Sequence, residues 1–290
     1  MRKYVRQTLD LLLFSNIFIA LCAVAQGLVT YHLLNARPDE HVLGILFSAT
    51  LALYNFSIFL SRPKHPERSP FARVRWIFSH QRLMITLTII AVLSLIPLFL
   101  FLSATSKILL LFLALVSVTY NLPLFSFHNK SFSLRNIPGI KLFIIAMVWA
   151  FSAVLLPILE LESDIVTVTS RDAILLTAKR FLLVAVLIVP FDIRDLYQDK
   201  HYDLKTIPVM FGEKRAYLFC QFLLMAYVAM LFLFTNQLNN DFAALTLTAI
   251  LTGWLIFRSD LKKNEYYYFF LIDGVMILQY ILLVLFSLRF

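Results

Sequence analysis

The sequence predicts an all-α, polytopic integral membrane protein, and three observations indicate this fold class. Of the 290 residues, 60% are hydrophobic and only 15% are charged, and the mean hydropathy is +0.81. Apolar runs long enough to cross a bilayer recur along the whole chain. Lys and Arg fall in the short segments between these runs, so the formal charge of +9 indicates membrane topology and not a nucleic-acid-binding patch. We expect residues 1–290 to form a single membrane-embedded domain.

Nine apolar segments have the length of a transmembrane helix. A span needs about 20 mostly apolar residues, or somewhat fewer when polar residues anchor its ends. The basic start of the first segment is similar to a secretory signal peptide, but the eight segments that follow favour an uncleaved first helix. The predicted spans are residues 9–34, 42–60, 82–102, 107–122, 139–158, 173–191, 215–234, 241–257 and 266–287.

The connections between these segments alternate in basic content. Twenty of the 26 Lys and Arg lie in the N-terminal tail and every second connection, if Lys179 and Arg180 are counted with the opposite side. Because basic loops stay inside, this bias predicts a cytoplasmic N-terminus and an external C-terminus. The long connections are then all cytoplasmic, and long loops on one face of a bundle usually carry function. We expect the inner membrane of a bacterial cell, with the functional face towards the cytoplasm.

Three carboxylates follow the sixth apolar segment. Asp192, Asp195 and Asp199 are spaced at i, i+3 and i+7, so they line one face if the helix continues. Carboxylates that end an apolar helix are costly unless they bind something. A magnesium ion that carries a diphosphate takes one or two carboxylates and completes its shell with phosphate oxygens and water. The spacing fits equally a solvated helix end whose acids pair with Arg194, and both interpretations remain open at this point.

The residues around this stripe resemble the UbiA family of membrane prenyltransferases. The stretch 192–212, with Lys-Thr-Ile-Pro at 205–208, looks like the second aspartate-rich motif of that family and its tail. Tyr-Asn-Leu-Pro at 120–123 and the segment around Lys141 are similar to two further family segments, and Asp-Gly at 273–274 resembles another. The resemblance covers nearly the whole chain, and it implies nine helices with the N-terminus inside.

One stretch departs from the family pattern. The first motif of the family, on the second helix, is an Asn followed by acidic residues. Here Asn55 is present, but Phe56 and Phe59 stand where carboxylates belong, and no acid occurs between Glu40 and Glu67. With one motif emptied of acids, we expect one well-held metal ion at most.

The resemblance implies transfer of an isoprenyl group from its diphosphate to a lipophilic, often aromatic acceptor, with Mg²⁺ as the cofactor. The acceptor is not specified by the resemblance, and quinone, haem and other lipid pathways all remain open. The expected partners are the isoprenyl diphosphate, the acceptor and membrane lipid, with no nucleic acid and no protein partner. The same resemblance implies Asp192, Asp195 and Asp199 as the catalytic, metal-holding residues. The candidate substrate-binding residues are Asn55, Arg62, Tyr120, Lys141, Arg194 and Lys205.

Simpler explanations exist for several of these residues. Arg62, Arg73 and Arg75 are also the residues that would set the topology, and Lys141 also suits a cytoplasmic helix start. The alternative function is a catalytically degenerate protein of the same fold that binds or transports isoprenoids or other lipids. The missing acids favour this alternative, whereas three aspartates in register argue against it. For an enzyme, Asn55 and the aspartates should face one pocket with Arg or Lys at its rim.

Overall fold

The computed structural model describes residues 2–122, 125–127, 130–132, 137, 139–163, 167–201, 204–234, 239–259 and 264–288. Helices make up almost all of it, and two three-residue strands, Phe125–Phe127 and Lys130–Phe132, pair antiparallel. The α-helices are α1 Arg2–Phe14, α2 Ile17–Leu33, α3 Glu40–Leu60, α4 Ala72–Ser79, α5 Gln81–Phe101, α6 Ala104–Asn121, α7 Ile140–Ala150, α8 Leu156–Ser163, α9 Ser170–Arg194, α10 Leu196–His201, α11 Ile207–Phe211, α12 Glu213–Phe234, α13 Asn240–Arg258 and α14 Val275–Ser287.

All nine predicted segments coincide with helices, but not all of these helices have the length of a full span. In the described part of the chain, seven are long and apolar enough to cross a membrane. An eighth is present if the bent pair of α1 and α2 is one span, and α6 is a shorter apolar helix. Nine spans and a cytoplasmic N-terminus therefore stay predictions. The seven are 40–60, 81–101, 140–162, 170–194, 213–234, 240–258 and 267–287.

The helices pack into a bundle whose interior is apolar and whose outer faces are apolar as well. The main contacts join α2 to α3 and α14, α9 to α7 and α12, and α13 to α14. Small buried residues such as Ala20 and Ala23 let α2 approach its neighbours closely, which is typical of helices packed in a membrane. Outward-facing Ile90, Leu93 and Ile96 on α5 are exposed, as expected where lipid is the solvent.

A break between α1 and α2 places a polar side chain inside the bundle. The two helices are bent by 62°, and Asn16 at the break has a φ of 68°. Asn tolerates this left-handed conformation better than most residues, because its short amide can bond locally. The helical run 9–34 is therefore not straight, and Asn16 is buried at the bend.

The last span begins with a π-helical segment, Tyr267–Ile272, that precedes α14. Asp273 and then Gly274 follow it, and a Cβ atom at Gly274 would lie 2.1 Å from the carbonyl oxygen of Phe270. Only glycine fits this backbone, so the Asp-Gly pair at 273–274 is explained in part by the geometry of the bulge. Such bulges reorient side chains within a helix and occur often at functional sites.

The aspartate stripe spans a break between two helices. α9 ends at Arg194, Asp195 is its C-cap residue, and α10 begins at Leu196. The amide of Asp199 donates to the carbonyl oxygen of Asp195 over 2.8 Å, so one helical hydrogen bond is kept just after the break. The three acids therefore do not form the single continuous helical face that the spacing allows, and Asp195 has a different set of contacts from the other two.

Candidate active site

A cavity of about 190 Å³ lies where α2, α3, α4, α7, α9 and the last span converge. One end carries charged and polar side chains from five of these elements, and the other end is apolar. The polar lining residues are Asn16, Tyr54, Arg73, Lys141, Asp192, Arg194, Asp195 and Asp273. The apolar lining includes Ile19, Ile145, Trp149, Val184, Ile188 and Met276. A mostly apolar pocket with a few convergent charges is the usual form of a ligand site.

Lys141 joins two of the three aspartates. Its Nζ lies 2.6 Å from Asp192 Oδ1 and 3.9 Å from Asp199 Oδ2. Asp192 is 1% exposed and Asp199 is 3% exposed, so both carboxylates are in a low-dielectric site. Burial raises the pKa of Asp199; Lys141 opposes this, and the charges of Asp192 and Asp195 add to it. Two buried acids thus share one ammonium, and a further positive charge would be favoured beside them.

The third aspartate is held by an arginine. Arg194 Nε and Nη2 donate to the two oxygens of Asp195 over 2.8 and 2.9 Å, which is a bidentate pair. The guanidinium carbon also lies 5.0 Å from the ring centroid of Phe269 and 5.1 Å from that of Phe191. Arg194 Nη1 is buried and makes no hydrogen bond within the described ranges. The Nη1 amino group of this side chain, with two N–H donors, is therefore left for a ligand.

Arg73 enters the same cavity from α4. It donates to Asn16 Oδ1, and its guanidinium carbon lies 4.3 Å from the ring centroid of Phe269, the ring that Arg194 also contacts. Burial and the positive charge of Arg194 lower the pKa of Arg73 to about 10, against the opposing effect of Asp273. Arg73 Nε is buried without a hydrogen bond to any described residue. Two guanidinium groups on one ring repel each other, and an anion between them would remove that penalty.

Asn16 links Arg73 to α3. Its amide nitrogen donates to Asn55 Oδ1 over 2.6 Å, while its amide oxygen accepts from Arg73. Asn55 is fully buried and does not line the cavity. Asn55, the residue that remains of the first family motif, therefore contacts Asn16 and through it helps to fix the position of Arg73.

Glu265 fixes the helix that carries Arg73. Its carboxylate accepts from the backbone amides of Ala72 and Arg73, over 2.6 and 3.0 Å, at the N-terminus of α4. These amides have no partner within the helix, so a carboxylate there stabilises the helix end. The contact ties α4, which lies outside the predicted spans, to the start of the last span.

We expect Glu265→Ala to lower the free energy of unfolding by about 1–2 kcal/mol, as the loss of an N-terminal cap does. The same change should weaken binding of the diphosphate that the family resemblance implies, since Arg73 loses its fixed position. Unfolding in detergent and binding of geranyl diphosphate measure the two effects. Glu67→Ala is the matched control, because Glu67 lies in the connection that carries Arg73 and is 66% exposed. Equal effects of the two changes would contradict the role given to Glu265.

The acids fit one magnesium ion and not a pair. Asp192 and Asp199 flank a single position, now filled by the Lys141 ammonium, and Asp199 Oδ2 makes no hydrogen bond to a described residue. Two carboxylates with diphosphate oxygens are a usual magnesium shell. The only acid on α3 is Glu40 in its first turn, and none follows Asn55 on this helix to hold a second ion. No group of three or more metal-binding side chains occurs in the described residues.

The structure brings together most of the predicted site residues. Asp192, Asp195, Lys141 and Arg194 line the cavity, and Asp199 reaches it through Lys141. Tyr120 interacts electrostatically with Lys141 from α6. Asn55 lies one hydrogen bond behind the cavity wall, through Asn16.

Two predicted residues do not line the cavity. Arg62 lies over the ring of Phe78, 5.3 Å from its centroid. Lys205 has an exposed side chain, and its carbonyl oxygen accepts from the amide of Gly139. Substrate contacts by these two residues stay predictions.

Sequence reasoning missed Arg73 and Asn16. Arg73 stands in the most basic connection, where topology already explains every Lys and Arg, so no signal separated it from Arg75. Asn16 had one signal, which was a polar Ser-Asn pair inside an otherwise apolar run. Asp273, which the sequence analysis gave only as part of an Asp-Gly pair similar to a family segment, also lines the cavity.

The sequence matches the model of the UbiA prenyltransferase family over residues 74–271. This range begins after α3, the helix on which Phe56 and Phe59 stand in place of the family's acids. Among curated proteins no match is found. A UbiA homologue from Archaeoglobus fulgidus, solved with GPP and Mg²⁺, is 15% identical with a TM-score of 0.64, over 96% of this chain and 99% of that one. The apo UbiA homologue from Aeropyrum pernix K1 is 15% identical with a TM-score of 0.63, over 93% and 98%.

A third similar structure is a digeranylgeranylglyceryl phosphate synthase. It is 14% identical, with a TM-score of 0.57 over 100% of both chains. At such identities the likeness shows a shared fold, and the chemistry has to be argued from the cavity.

Proposed function

Because the chain belongs to the UbiA prenyltransferase family, we propose that it transfers an isoprenyl group from its diphosphate to a lipophilic, aromatic acceptor. The observation that carries this proposal is the cavity itself. Two buried guanidinium nitrogens, Arg73 Nε and Arg194 Nη1, have no described hydrogen-bond partner, and they lie beside buried carboxylates and an apolar space. A diphosphate supplies the anionic oxygens that these groups lack, and an isoprenyl tail suits the apolar end.

The charged end would bind and stabilise the diphosphate as it leaves. Arg73 and Arg194 are fixed by Asn16, Phe269 and Asp195, so they need little reorganisation when charge develops on the leaving oxygen. Preorganised donors in a site with little water are worth more than the same donors in solution. Arg73 lies on the side where the family pattern places the first motif, and its fixed positive charge takes over part of what a second metal ion would supply.

One bound Mg²⁺, held by Asp192 and Asp199, would act as a Lewis acid on the diphosphate oxygens. Lys141 now sits between these two acids, and it would turn its ammonium to the phosphate when the metal position is taken. Similar UbiA homologues have been solved with Mg²⁺ together with GPP or DMAPP, which supports this assignment.

The aromatic side chains would protect the allylic cation. Phe191, Phe269 and Trp149 line the cavity next to the charged groups. Their ring faces attract a cation and keep water from it, so that the carbon centre reacts with the acceptor and is not hydrolysed. Asp273 and Tyr54 line the same wall and are placed to orient a hydroxyl or a ring proton of the acceptor.

Release of diphosphate from labelled geranyl diphosphate tests the proposal, with purified protein in nanodiscs and a panel of hydroxylated aromatic acceptors. We expect release to require Mg²⁺ and to stop with EDTA. With one metal position the rate should rise hyperbolically with free Mg²⁺, whereas a metal pair gives a sigmoidal rise. Lys200→Ala, at an exposed residue beside the stripe, should leave the rate unchanged.

The alternative of a non-catalytic isoprenoid-binding protein gives a different result in the same assay. It is favoured by one observation: Phe56, in place of a family acid, is 40% exposed on α3 and does not face the cavity. That protein would bind geranyl diphosphate tightly with Mg²⁺ and release none with any acceptor. Absence of binding would exclude both functions.

A further inference from the structure

The apolar end of the cavity is closed by a buried polar cluster, which we define as Gln26, Thr30, Arg180, Tyr227 and Gln279. Arg180 lies on α9 and is 5% exposed, and it donates to Gln26 Oε1 and, over 3.3 Å, to Thr30 Oγ1. Gln26 donates in turn to Gln279 Oε1 over 3.1 Å, and Gln279 to the hydroxyl of Tyr227 over 3.2 Å. The polar cluster therefore joins α2, α9, α12 and α14 across the bundle.

The polar cluster lies directly beyond the deepest residues that line the cavity. Val184 and Met276 line it, while Arg180 and Gln279 do not. Arg180 is one turn before Val184 on α9, and Gln26 Nε2 donates to the carbonyl oxygen of Met276 over 2.8 Å. Each member of the polar cluster is thus held by at least one hydrogen bond to another helix.

An isoprenyl tail could push aside an apolar side chain such as Leu, but it cannot displace the polar cluster at the end of the cavity. Within the described residues no carboxylate pairs with Arg180, so its charge is stabilised only by neutral oxygens. A tail that pushed between Arg180 and Gln26 would leave a buried charge without hydrogen bonds, which is strongly unfavourable inside a membrane bundle. Apolar side chains at the same depth would simply repack.

The length of the free space follows from the helix geometry. Val184 precedes Asp192 by eight residues, so the cavity extends about 12 Å from the charged end, at 1.5 Å of rise per residue. Three backbone bonds span about 3.6 Å when extended, and by the same bond lengths the four chain bonds of an isoprene unit span about 5 Å. Two isoprene units fill this space, and four do not.

We infer that the polar cluster sets the substrate of the proposed reaction as a short allylic diphosphate of one or two isoprene units, with geranyl diphosphate the best fit. The inference rests on the proposed function, because it assumes that the diphosphate occupies the charged end. Phe18 lines the cavity, and its ring centroid is 5.6 Å from that of Phe270, so aromatic side chains also stand between the tail and the lipid.

Competition binding with four diphosphates tests this inference. Unlabelled dimethylallyl, geranyl, farnesyl and geranylgeranyl diphosphates displace labelled geranyl diphosphate from the protein in nanodiscs. We expect geranyl to bind at least about tenfold more tightly than geranylgeranyl, since a tail that meets a fixed wall loses its apolar contacts. Equal affinity for the two would overturn the inference without any variant, because the tail would then leave the cavity by another route.

A double variant shows whether the polar cluster is the cause. Gln26→Ala with Arg180→Ala removes the charge and its acceptor together, so neither is left unpaired. The preference for geranyl over geranylgeranyl should fall by about tenfold or more, while geranyl diphosphate still binds, which also shows that the variant is folded. Lys179→Ala, next to Arg180 but outside the polar cluster, is the matched control and should keep the wild-type preference.

An unchanged preference in a double variant that binds geranyl diphosphate would overturn this inference but not the proposed function. If the wild-type protein bound none of the four diphosphates, the proposed function would be overturned as well.

Discussion

Asp192→Asn is expected to reduce prenyl transfer by about a hundredfold or more, the scale seen when a preorganised charge contact to a transition state is removed. Asp192 is the most deeply buried of the three aspartates, and it makes the closest contact with Lys141. The change removes one of the two carboxylates that fit Mg²⁺. It also leaves the Lys141 ammonium with only the more distant Asp199, so the free energy of unfolding should fall by about 3 kcal/mol.

A second variant separates these two effects. In Asp192→Asn with Lys141→Met, both charges of the pair are removed, so most of the lost stability should return. Transfer should stay at least as low as in the single variant, because neither the metal contact nor the phosphate contact is restored. The rate of transfer of labelled geranyl and unfolding in detergent measure the two quantities. Recovery of transfer together with stability would mean that Asp192 matters only for folding.

Arg73→Gln is expected to lower transfer by about a hundredfold with little loss of stability. The glutamine can still bond to Asn16 Oδ1, whereas the charge over the ring of Phe269 is lost. Because the cavity keeps Arg194 and Lys141, ground-state binding of geranyl diphosphate should weaken less than the transfer rate falls. Single-turnover rates and equilibrium binding of the same substrate give the comparison.

The matched control is Arg75→Gln on the same helix. Arg75 is exposed and donates to the carbonyl oxygen of Ser69, so it shares the helix and the basic connection with Arg73 but not the cavity. This change should leave the rate within about twofold of the wild type, as expected of surface substitutions. A similar loss in both variants would indicate that the basic connection acts as a whole, through topology or lipid, and would contradict a specific role for Arg73.

The sequence was sufficient for the helices and for one side of the site. Long apolar runs predicted most boundaries of the nine helical segments to within a few residues, because a helix that faces lipid is apolar along its length. The exception is the first helix, which begins at Arg2 and not at residue 9. Asp192 and Arg194 were candidates because charged residues at the end of an apolar helix are rare enough to be informative, whereas Lys141 was a candidate only through the resemblance to the family. All three line the cavity, and their roles stay predictions. The number of full spans could not be predicted from the sequence, because α6 is shorter than a full span. The bend at Asn16 also depends on a local backbone conformation that the sequence indicates only weakly.

The other side of the site was not readable from the pattern. Arg73 reaches the cavity because α4 folds back over the bundle and Glu265, nearly two hundred residues later, holds its first amides. Such a contact depends on tertiary packing, and topology gave every arginine of that connection an equally good explanation. The polar cluster around Arg180 has the same origin, because Gln26, Tyr227 and Gln279 come from three separate helices.

The measurement that tests the account most directly is a structure of the protein with the thiolo analogue of geranyl diphosphate, which cannot ionise readily, and Mg²⁺. The account predicts the diphosphate within hydrogen-bonding distance of Arg73 and Arg194, with one metal ion on Asp192 and Asp199 and the tail ending at Val184 and Met276. A diphosphate bound elsewhere, or two metal ions bridging it without contact to Arg73, would contradict the account.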